Sequence, residues 1–333
     1  MAVKSSASTL NGQFRNKIIN GNFDFWQRNT TGSSNGYIAD RWMNYVAGST
    51  FTTSRQAFTV GQTDVPGNPA YFHRTVVTSA NSTSNYFLLS QFIENVSTLS
   101  GTQASVSLYM RADASKTVVV TFKQNFGSGG SAAVFTSNTF LSLTSAWQRF
   151  TIPITFPSIT SKTVGANNNL EMQIYYDAGT NYPTLMGNQS GTFDLSEVQV
   201  EEGVQTTAFE FRPLGTELAL CQRYYEKNYD LDTVPGTALE RNNDIAIAVS
   251  TMILVITGFS FKVTKRTEPD ISIWSRSGVA DRVSSLSSNN TVGTSFSYTG
   301  ASTTRGHYII TDTVANFTAG QAYRLNWAAN SEY

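Results

Sequence analysis

Few side chains in this chain of 333 residues have the type and spacing to contact a ligand. Trp274 and Arg276 are two positions apart in the segment ISIWSR, so they share one face of a predicted strand. Ile271 and Ile273 share the opposite face. If the isoleucines face the core, the indole is exposed beside a guanidinium, where it could stack on a sugar ring while the arginine binds an acidic group. An intersubunit contact would bury the same face, so both interpretations stay open.

Two tyrosines in predicted loops are further candidate contacts. Tyr182 lies in the segment GTNYP, and Tyr229 precedes Asp230. Loops carry binding residues more often than the sheets that support them. Trp274, Arg276, Tyr182 and Tyr229 are therefore the predicted binding residues.

The motif Asp40-Arg41-Trp42 has a structural interpretation instead. We expect the indole in the core and the Asp40 carboxylate bonded to backbone or to an arginine, because an arginine–carboxylate pair can fix strand ends.

Signals for catalysis and for a cofactor are weak. The acidic pair Glu201-Glu202 cannot serve as paired acid and base, because adjacent strand residues point to opposite faces. We find no phosphate-binding loop, zinc-ligand cluster or nucleophile elbow, and we predict neither an enzyme nor a cofactor. With Cys221 alone, the chain cannot form an intramolecular disulfide. Equal numbers of acidic and basic residues, 23 each, argue against broad nucleic-acid binding.

Alternation of apolar and polar residues with a period of two dominates the elements that must position these side chains. It is clear in 106–111, 150–156 and 170–176, and it predicts antiparallel strands with one dry and one wet face. Pro153 predicts an edge strand or a bulge, because proline cannot donate to a sheet ladder. The segment Leu214–Tyr229 has helical spacing instead. The apolar run Ile245–Phe259 is shorter than the ~20 residues of a membrane-spanning helix, so we expect a buried strand and no membrane insertion.

We therefore predict an all-β protein with a jelly-roll sandwich, a short linking helix and a C-terminal β sandwich. The predicted boundaries are an arm at 1–16, the jelly roll at 17–212, the helix at 213–230 and the C-terminal domain at 231–333. Two sandwiches leave edge strands unpaired. Charged side chains can keep such edges from pairing with another chain, but only 14% of the residues are charged. Self-association into a homotrimer would cover these edges.

Three stretches are distinctive when taken together: IINGNFDFWQRNTTGSSNGYIADRW at 18–42, GTFDLSEVQVEEGVQTTAFEFR at 191–212 and PLGTELALCQRYYEK at 213–227. In these motifs the chain resembles a family of bacteriophage tail fibre and receptor-binding proteins. The first two stretches also resemble the opening and closing strands of carbohydrate-binding jelly rolls. Such modules often hold a structural calcium ion, for which Asp24 and Glu197 are the nearest candidates here. The closing strand has Ser196-Glu197 where those modules usually have paired acids, so no metal site is predicted.

The resemblance implies a homotrimeric virion component made in the host cytoplasm. The arm at 1–16 would dock to other tail or virion proteins, and the C-terminal domain would be the distal tip. The implied function is adsorption to a polysaccharide or protein of the host surface. A structural virion protein without receptor contact and a polysaccharide depolymerase are the alternatives.

Overall fold

Antiparallel strands make up nearly all of the regular structure in the computed structural model, which describes residues 14–182, 184, 186–239, 244–256, 260–289, 291–292, 296–297, 304, 309–312 and 316–333. The elements are β1 (Thr31–Gly32), β2 (Gly36–Tyr37), β3 (Trp42–Ala47), β4 (Thr50–Ala57), β5 (Tyr71–Thr78), β6 (Tyr86–Glu94), β7 (Gln103–Ala112), β8 (Lys116–Asn125), β9 (Val134–Phe135), β10 (Thr139–Leu143), β11 (Gln148–Thr155), β12 (Asn169–Ala178), β13 (Gly191–Glu202), α1 (Leu214–Gln222), β14 (Tyr225–Lys227), β15 (Asp244–Ala248), β16 (Ile253–Ile256), β17 (Asp270–Trp274), β18 (Val283–Ser285), β19 (Thr291–Val292), β20 (Phe296–Ser297), β21 (Ile309–Asp312) and β22 (Ala322–Asn330). The all-β prediction is confirmed.

The chain forms two units, and the segment Phe23–Met43 belongs to the second of them, together with Arg212–Tyr333. The first unit contains Met1–Asn22 and Asn44–Phe211, so the division differs from the predicted jelly roll at 17–212. The segment joins the second unit through long-range bonds. For example, the Lys227 ammonium donates to the Gln27 carbonyl oxygen at 2.6 Å. Of the predicted arm, residues 1–13 lie outside the described residues.

Two antiparallel sheets form the first unit. The first sheet has the strand order β4-β5-β13-β7-β11, and the second has the order β10-β8-β12-β6-β3, with β9 beside β8. Aromatic pairs join their inner faces: Phe51 lies 4.4 Å from Phe87, and Tyr176 lies 5.1 Å from Phe193, between ring centroids. Pro153 lies in β11 at the edge of the first sheet, which confirms the prediction.

The second unit is built around β22, which pairs with β14, β15, β17 and β18. Its helix ends earlier than the sequence predicts: α1 stops at Gln222, and Tyr225–Lys227 forms β14. The spacing of apolar residues in this segment fits a helix, but the strand Ala328–Asn330 is available to pair with its second half. Among the described residues, no helix is long and apolar enough to cross a membrane.

The structural interpretation of Asp40-Arg41-Trp42 is confirmed within the second unit. Trp42 is fully buried and stacks on Phe23 with 5.2 Å between ring centroids. The Asp40 carboxylate accepts hydrogen bonds from the Gln27 backbone and side-chain amides at 3.1 and 2.6 Å, and the Arg28 guanidinium lies 3.6 Å from it.

Candidate functional site

The middle strand of the second sheet, β12, is buried along all ten of its residues. Its even-numbered apolar residues from 170 to 176 face the core, so Glu171, Gln173 and Tyr175 point to the outward face of the sheet. These three outward side chains are nevertheless only 3, 6 and 8% exposed. Neighbouring side chains must therefore shelter this face. We call the sheltered strip the tyrosine trough; its residues are Tyr45, Tyr86, Ser90, Lys123, Glu171, Gln173, Tyr175 and Tyr182.

The floor of the tyrosine trough is a continuous chain of hydrogen bonds. Glu171 Oε1 accepts from the Ser90 hydroxyl at 2.9 Å and from the Gln173 amide at 2.8 Å. Gln173 Oε1 in turn accepts from the Tyr175 hydroxyl at 3.3 Å. The Lys123 ammonium lies 3.6 Å from Glu171 Oε2. A buried carboxylate with these partners holds the amide and the hydroxyl in fixed orientations.

Strand register explains why these residues share one face. Gln173 is opposite Ser90 of β6 on one side and opposite Thr121 of β8 on the other, and Glu171 is opposite Lys123. Residues directly opposite in antiparallel strands point to the same face, so three adjacent strands contribute to one polar floor.

Half-buried tyrosines pack along this strip. Tyr86 and Tyr182 meet edge to face with 4.8 Å between ring centroids, and the Tyr182 hydroxyl donates to the Ser84 carbonyl oxygen at 3.2 Å. Both rings pack on the apolar cluster that contains Leu88 and Tyr175. On β3, Tyr45 meets Phe92 edge to face at 6.4 Å.

Burial raises the pKa of three tyrosines in the trough, Tyr45, Tyr86 and Tyr175. It raises the pKa of Tyr45 to about 12, with the negative charge of Glu171 as the next contribution. The pKa of Tyr175 is raised by the same two causes, and burial also raises the pKa of Tyr86. The phenolic groups therefore remain hydrogen-bonding hydroxyls near neutral pH. Together with the amide and the half-exposed rings, they provide the stacking surfaces and uncharged polar groups that suit a polyhydroxylated ligand.

The structure separates the four predicted binding residues. Tyr182 lies in the tyrosine trough, whereas Trp274, Arg276 and Tyr229 belong to the second unit. Tyr229 is only 4% exposed, and its ring lies 6.0 Å from the half-buried indole of Trp274. A Cβ on Gly236 would lie 3.2 Å from the indole nitrogen, so this turn packs on the ring. Arg276 is half-buried, and its backbone amide donates to the Ser284 hydroxyl at 3.1 Å.

The two calcium candidates fall in different units, Asp24 in the second and Glu197 in the first. Within the described part of the chain, no three His, Cys, Asp or Glu side chains come together as metal ligands.

Sequence reasoning missed most of the tyrosine trough. The alternation in 170–176 assigned Glu171, Gln173 and Tyr175 to a wet face and gave no reason to choose it over other wet faces. The available signal was the succession of an acid, an amide and a phenol at the outward positions 171, 173 and 175 of one strand. Tyr45 and Tyr86 carried no local signal, because strand pairing alone brings them to β12.

No known protein family and no curated protein matches the sequence. Among solved structures, a carbohydrate-binding module of family 4 matches 55% of this chain and 98% of its own at 16% identity, with a TM-score of 0.33. A family 11 carbohydrate-binding module from Clostridium thermocellum, in complex with a mixed-linked tetrasaccharide, matches 53% and 98% at 13% identity, with a TM-score of 0.33. The enzymatically active domain of tailspike protein 4 from bacteriophage CBA120 matches 57% of this chain but only 22% of its own, at 9% identity and a TM-score of 0.37. The likeness extends no further than the β-sandwich arrangement.

Proposed function

We propose that this protein is a bacteriophage adhesin that binds a glycan of the host surface in the tyrosine trough. The sheltered ladder of Glu171, Gln173 and Tyr175 is the observation that carries the proposal, because it places oriented polar groups between half-buried aromatic rings. The phage assignment rests on the sequence motifs at 18–42 and 191–227.

The trough suits a short chain of sugar rings. Positions 171 to 175 of one strand span about 13 Å, at ~3.3 Å per residue, so the floor is longer than one sugar ring. Sugar hydroxyls would bond to the Gln173 amide, the tyrosine hydroxyls and the Lys123 ammonium. The rings of Tyr86 and Tyr182 would pack on the apolar faces of the sugars. Each contact is weak, and several copies on one virion would increase the overall affinity by ~10²–10⁴.

A homotrimer is part of this proposal. In the second unit, Ile245, Ile247 and Val249 are 47, 40 and 58% exposed in the single chain, so the buried strand expected from Ile245 onward is wrong at these positions. The two isoleucines share one face of β15, and contact between copies would remove that apolar row from water. Residues 1–16 would then attach the trimer to other virion proteins.

We propose binding without cleavage. Glycosidases need two carboxyl groups placed across the scissile bond, about 5–10 Å apart. In the trough, the Glu171 carboxylate is engaged by Ser90, Gln173 and Lys123, which suits an orienting role. Incubation of the protein with host glycan should release no new reducing ends; their appearance would favour a depolymerase.

Binding of fluorescently labelled full-length protein to susceptible cells tests the adhesin function. The wild type should label these cells, and soluble host glycan should compete. Tyr86→Ala and Tyr182→Ala should each reduce labelling at least about tenfold. Tyr71→Ala is the matched control, because Tyr71 is a half-buried tyrosine in β5 of the other sheet. Equal labelling by the trough variants and the control would reject the trough as the site. Equal labelling of resistant and susceptible cells would favour a structural virion protein.

A further inference from the structure

A cleft opens on the outward face of the first sheet, the sheet that does not carry the tyrosine trough. Its volume is about 470 Å³. The strands supply Ser107, Tyr109, Arg149 and Glu197, and the remaining lining comes from the loop at 66–67 and the segment 206–211. We call it the Glu197 cleft.

A β-bulge directs Glu197 into this cleft. The register between β13 and β7 shifts between the pairs Ser196–Tyr109 and Gln199–Ser107. Glu197 lies in the bulge with a φ of 49°, in the left-handed region. A bulge adds a residue to one strand and re-aims its side chain. Glu197 therefore joins Tyr109 and Ser107 on the outward face instead of entering the core.

The Glu197 carboxylate is buried without a full set of partners. The residue is only 4% exposed, and among the described residues its Oε1 atom has no hydrogen-bond partner. A Cβ atom added to Gly67 would lie 3.3 Å from Glu197 Oε1 and 2.5 Å from the ring of Phe211. The glycine therefore lies close to both side chains. Leaving a buried carboxylate oxygen unpaired is unfavourable, so the site has the chemistry to accept a donor or a cation.

Three aromatic side chains line the same cleft as this acid. Phe209 and Phe211 lie 4.9 Å apart with their rings at 76°, so they form two sides of a corner, and Tyr109 is a further aromatic lining residue. Phe211 is 51% exposed, which leaves part of its ring uncovered. Arg149 is exposed, and its guanidinium donates to the Thr207 carbonyl oxygen at 2.5 Å, which ties it to the segment 206–211.

We propose that the Glu197 cleft binds a substituted ammonium group, with the Glu197 carboxylate as its counter-charge and Tyr109, Phe209 and Phe211 as its aromatic enclosure. Rings attract an organic cation through their negative faces, and this attraction is strongest where water is excluded. A neutral apolar ligand would leave Glu197 Oε1 unpaired, whereas an organic cation satisfies both the acid and the rings. The site is separate from the tyrosine trough and does not depend on the glycan proposal.

Protonation of Glu197 should compete with such a cation. Burial raises the pKa of this carboxyl to about 7, and Arg149 opposes the shift only in part. The titratable and charged groups that line the cleft with Glu197 are Tyr109 and Arg149. The cation needs the ionised carboxylate, so binding should strengthen as the pH rises from about 6 to about 8.

Calorimetric titration of the full chain with choline tests the proposal. The comparison ligand is the neutral isostere of choline in which carbon replaces nitrogen. Choline should bind saturably, at least about tenfold more tightly than the isostere. Glu197→Gln should weaken choline binding by a similar factor and remove its pH dependence. Glu202→Gln, an exposed acid at the end of the same strand, should leave binding unchanged.

Several results would overturn the proposal. Equal affinity for choline and the isostere would show a merely apolar cleft, and no saturable choline binding would show that the cleft takes no such cation. If Glu197→Gln fails to fold, the pH dependence measured on the wild type decides, because an affinity that is constant from about pH 6 to about pH 8 excludes Glu197 as the counter-charge. Phe209→Leu should also weaken binding of choline more than that of the isostere.

Discussion

Replacing Glu197 by glutamine should make the folded chain more stable than the wild type at neutral and alkaline pH, with little difference in acid. The pKa of the folded carboxyl is raised from its ordinary value of 4.5 to about 7, mainly by burial. Between these values, the folded protein holds a proton that the unfolded chain has already lost. The wild type therefore loses stability as the pH rises through this interval, whereas the glutamine variant does not.

The size of the effect follows from the same pKa values. One pKa unit corresponds to about 1.4 kcal/mol, so the interval from 4.5 to about 7 limits the loss to about 3 kcal/mol. The glutamine amide is also neutral and nearly isosteric, so it avoids the burial of charge in the cleft. We expect the variant to gain on the order of 1–3 kcal/mol over the wild type at about pH 8.

Urea unfolding of wild type and variant at matched pH values, from about pH 4 to about pH 8, measures this difference. The contributions of all other titrating groups cancel in the comparison. The control Glu202→Gln should follow the wild type at every pH, because that side chain is exposed. A constant difference between Glu197→Gln and wild type across this range would refute the assignment of a buried, proton-holding carboxyl to position 197.

Three further predictions concern other parts of the molecule. Arg41 is fully buried and pairs with Glu332, so Arg41→Met should lower the free energy of unfolding in urea by about 3–5 kcal/mol. The double variant Arg41→Met with Glu332→Gln should lower it by less than the sum of the two single variants. Gln173→Leu removes the middle of the polar ladder; it should weaken glycan binding at least about tenfold in a glycan-array or cell-labelling assay and lower the stability by about 1–3 kcal/mol. Ile247→Lys, on the exposed apolar row of β15, should convert the expected trimer into a monomer in light scattering; a wild type that is already monomeric would contradict the proposed assembly.

The parts of the fold that sequence could predict are those set by neighbouring residues. Alternation of apolar and polar residues identifies the strands, because a strand with one buried face requires that pattern. Pro153 identifies an edge strand, because proline has no amide hydrogen to donate to a neighbouring strand. Trp42 was recognisable as a core residue. The end of α1 was not, because the residues at 225–227 adopt a strand only through their partners at 328–330, about a hundred positions later.

The candidate sites depend on properties that no local pattern encodes. Glu197 would point into the core if the alternation of β13 were unbroken, and the bulge that redirects it exists only in register with β7. Glu171 and Gln173 were assignable to an outward face, but their shelter comes from side chains of β3, β6 and β8. Tyr182 was predicted because it is a loop aromatic, and its contact with Tyr86 places it in the trough.

The two outward faces of the first unit differ in what covers them, and this difference determines what each can bind. On the first sheet, main chain from 206–211 lies over the strands: Glu201 accepts from the Thr207 amide at 2.7 Å, and Gln199 accepts from the Glu210 amide at 2.8 Å. This covering leaves room for a compact ligand beside one acid. On the second sheet, side chains of the neighbouring strands and of Tyr182 pack against the floor, and polar side chains follow one another along the strand. A repeating row of groups matches an extended, repeating ligand, whereas a corner of rings around a single carboxylate matches one small cation. The two faces therefore predict two ligands that should not compete, and simultaneous binding of glycan and choline by one chain is the expected consequence.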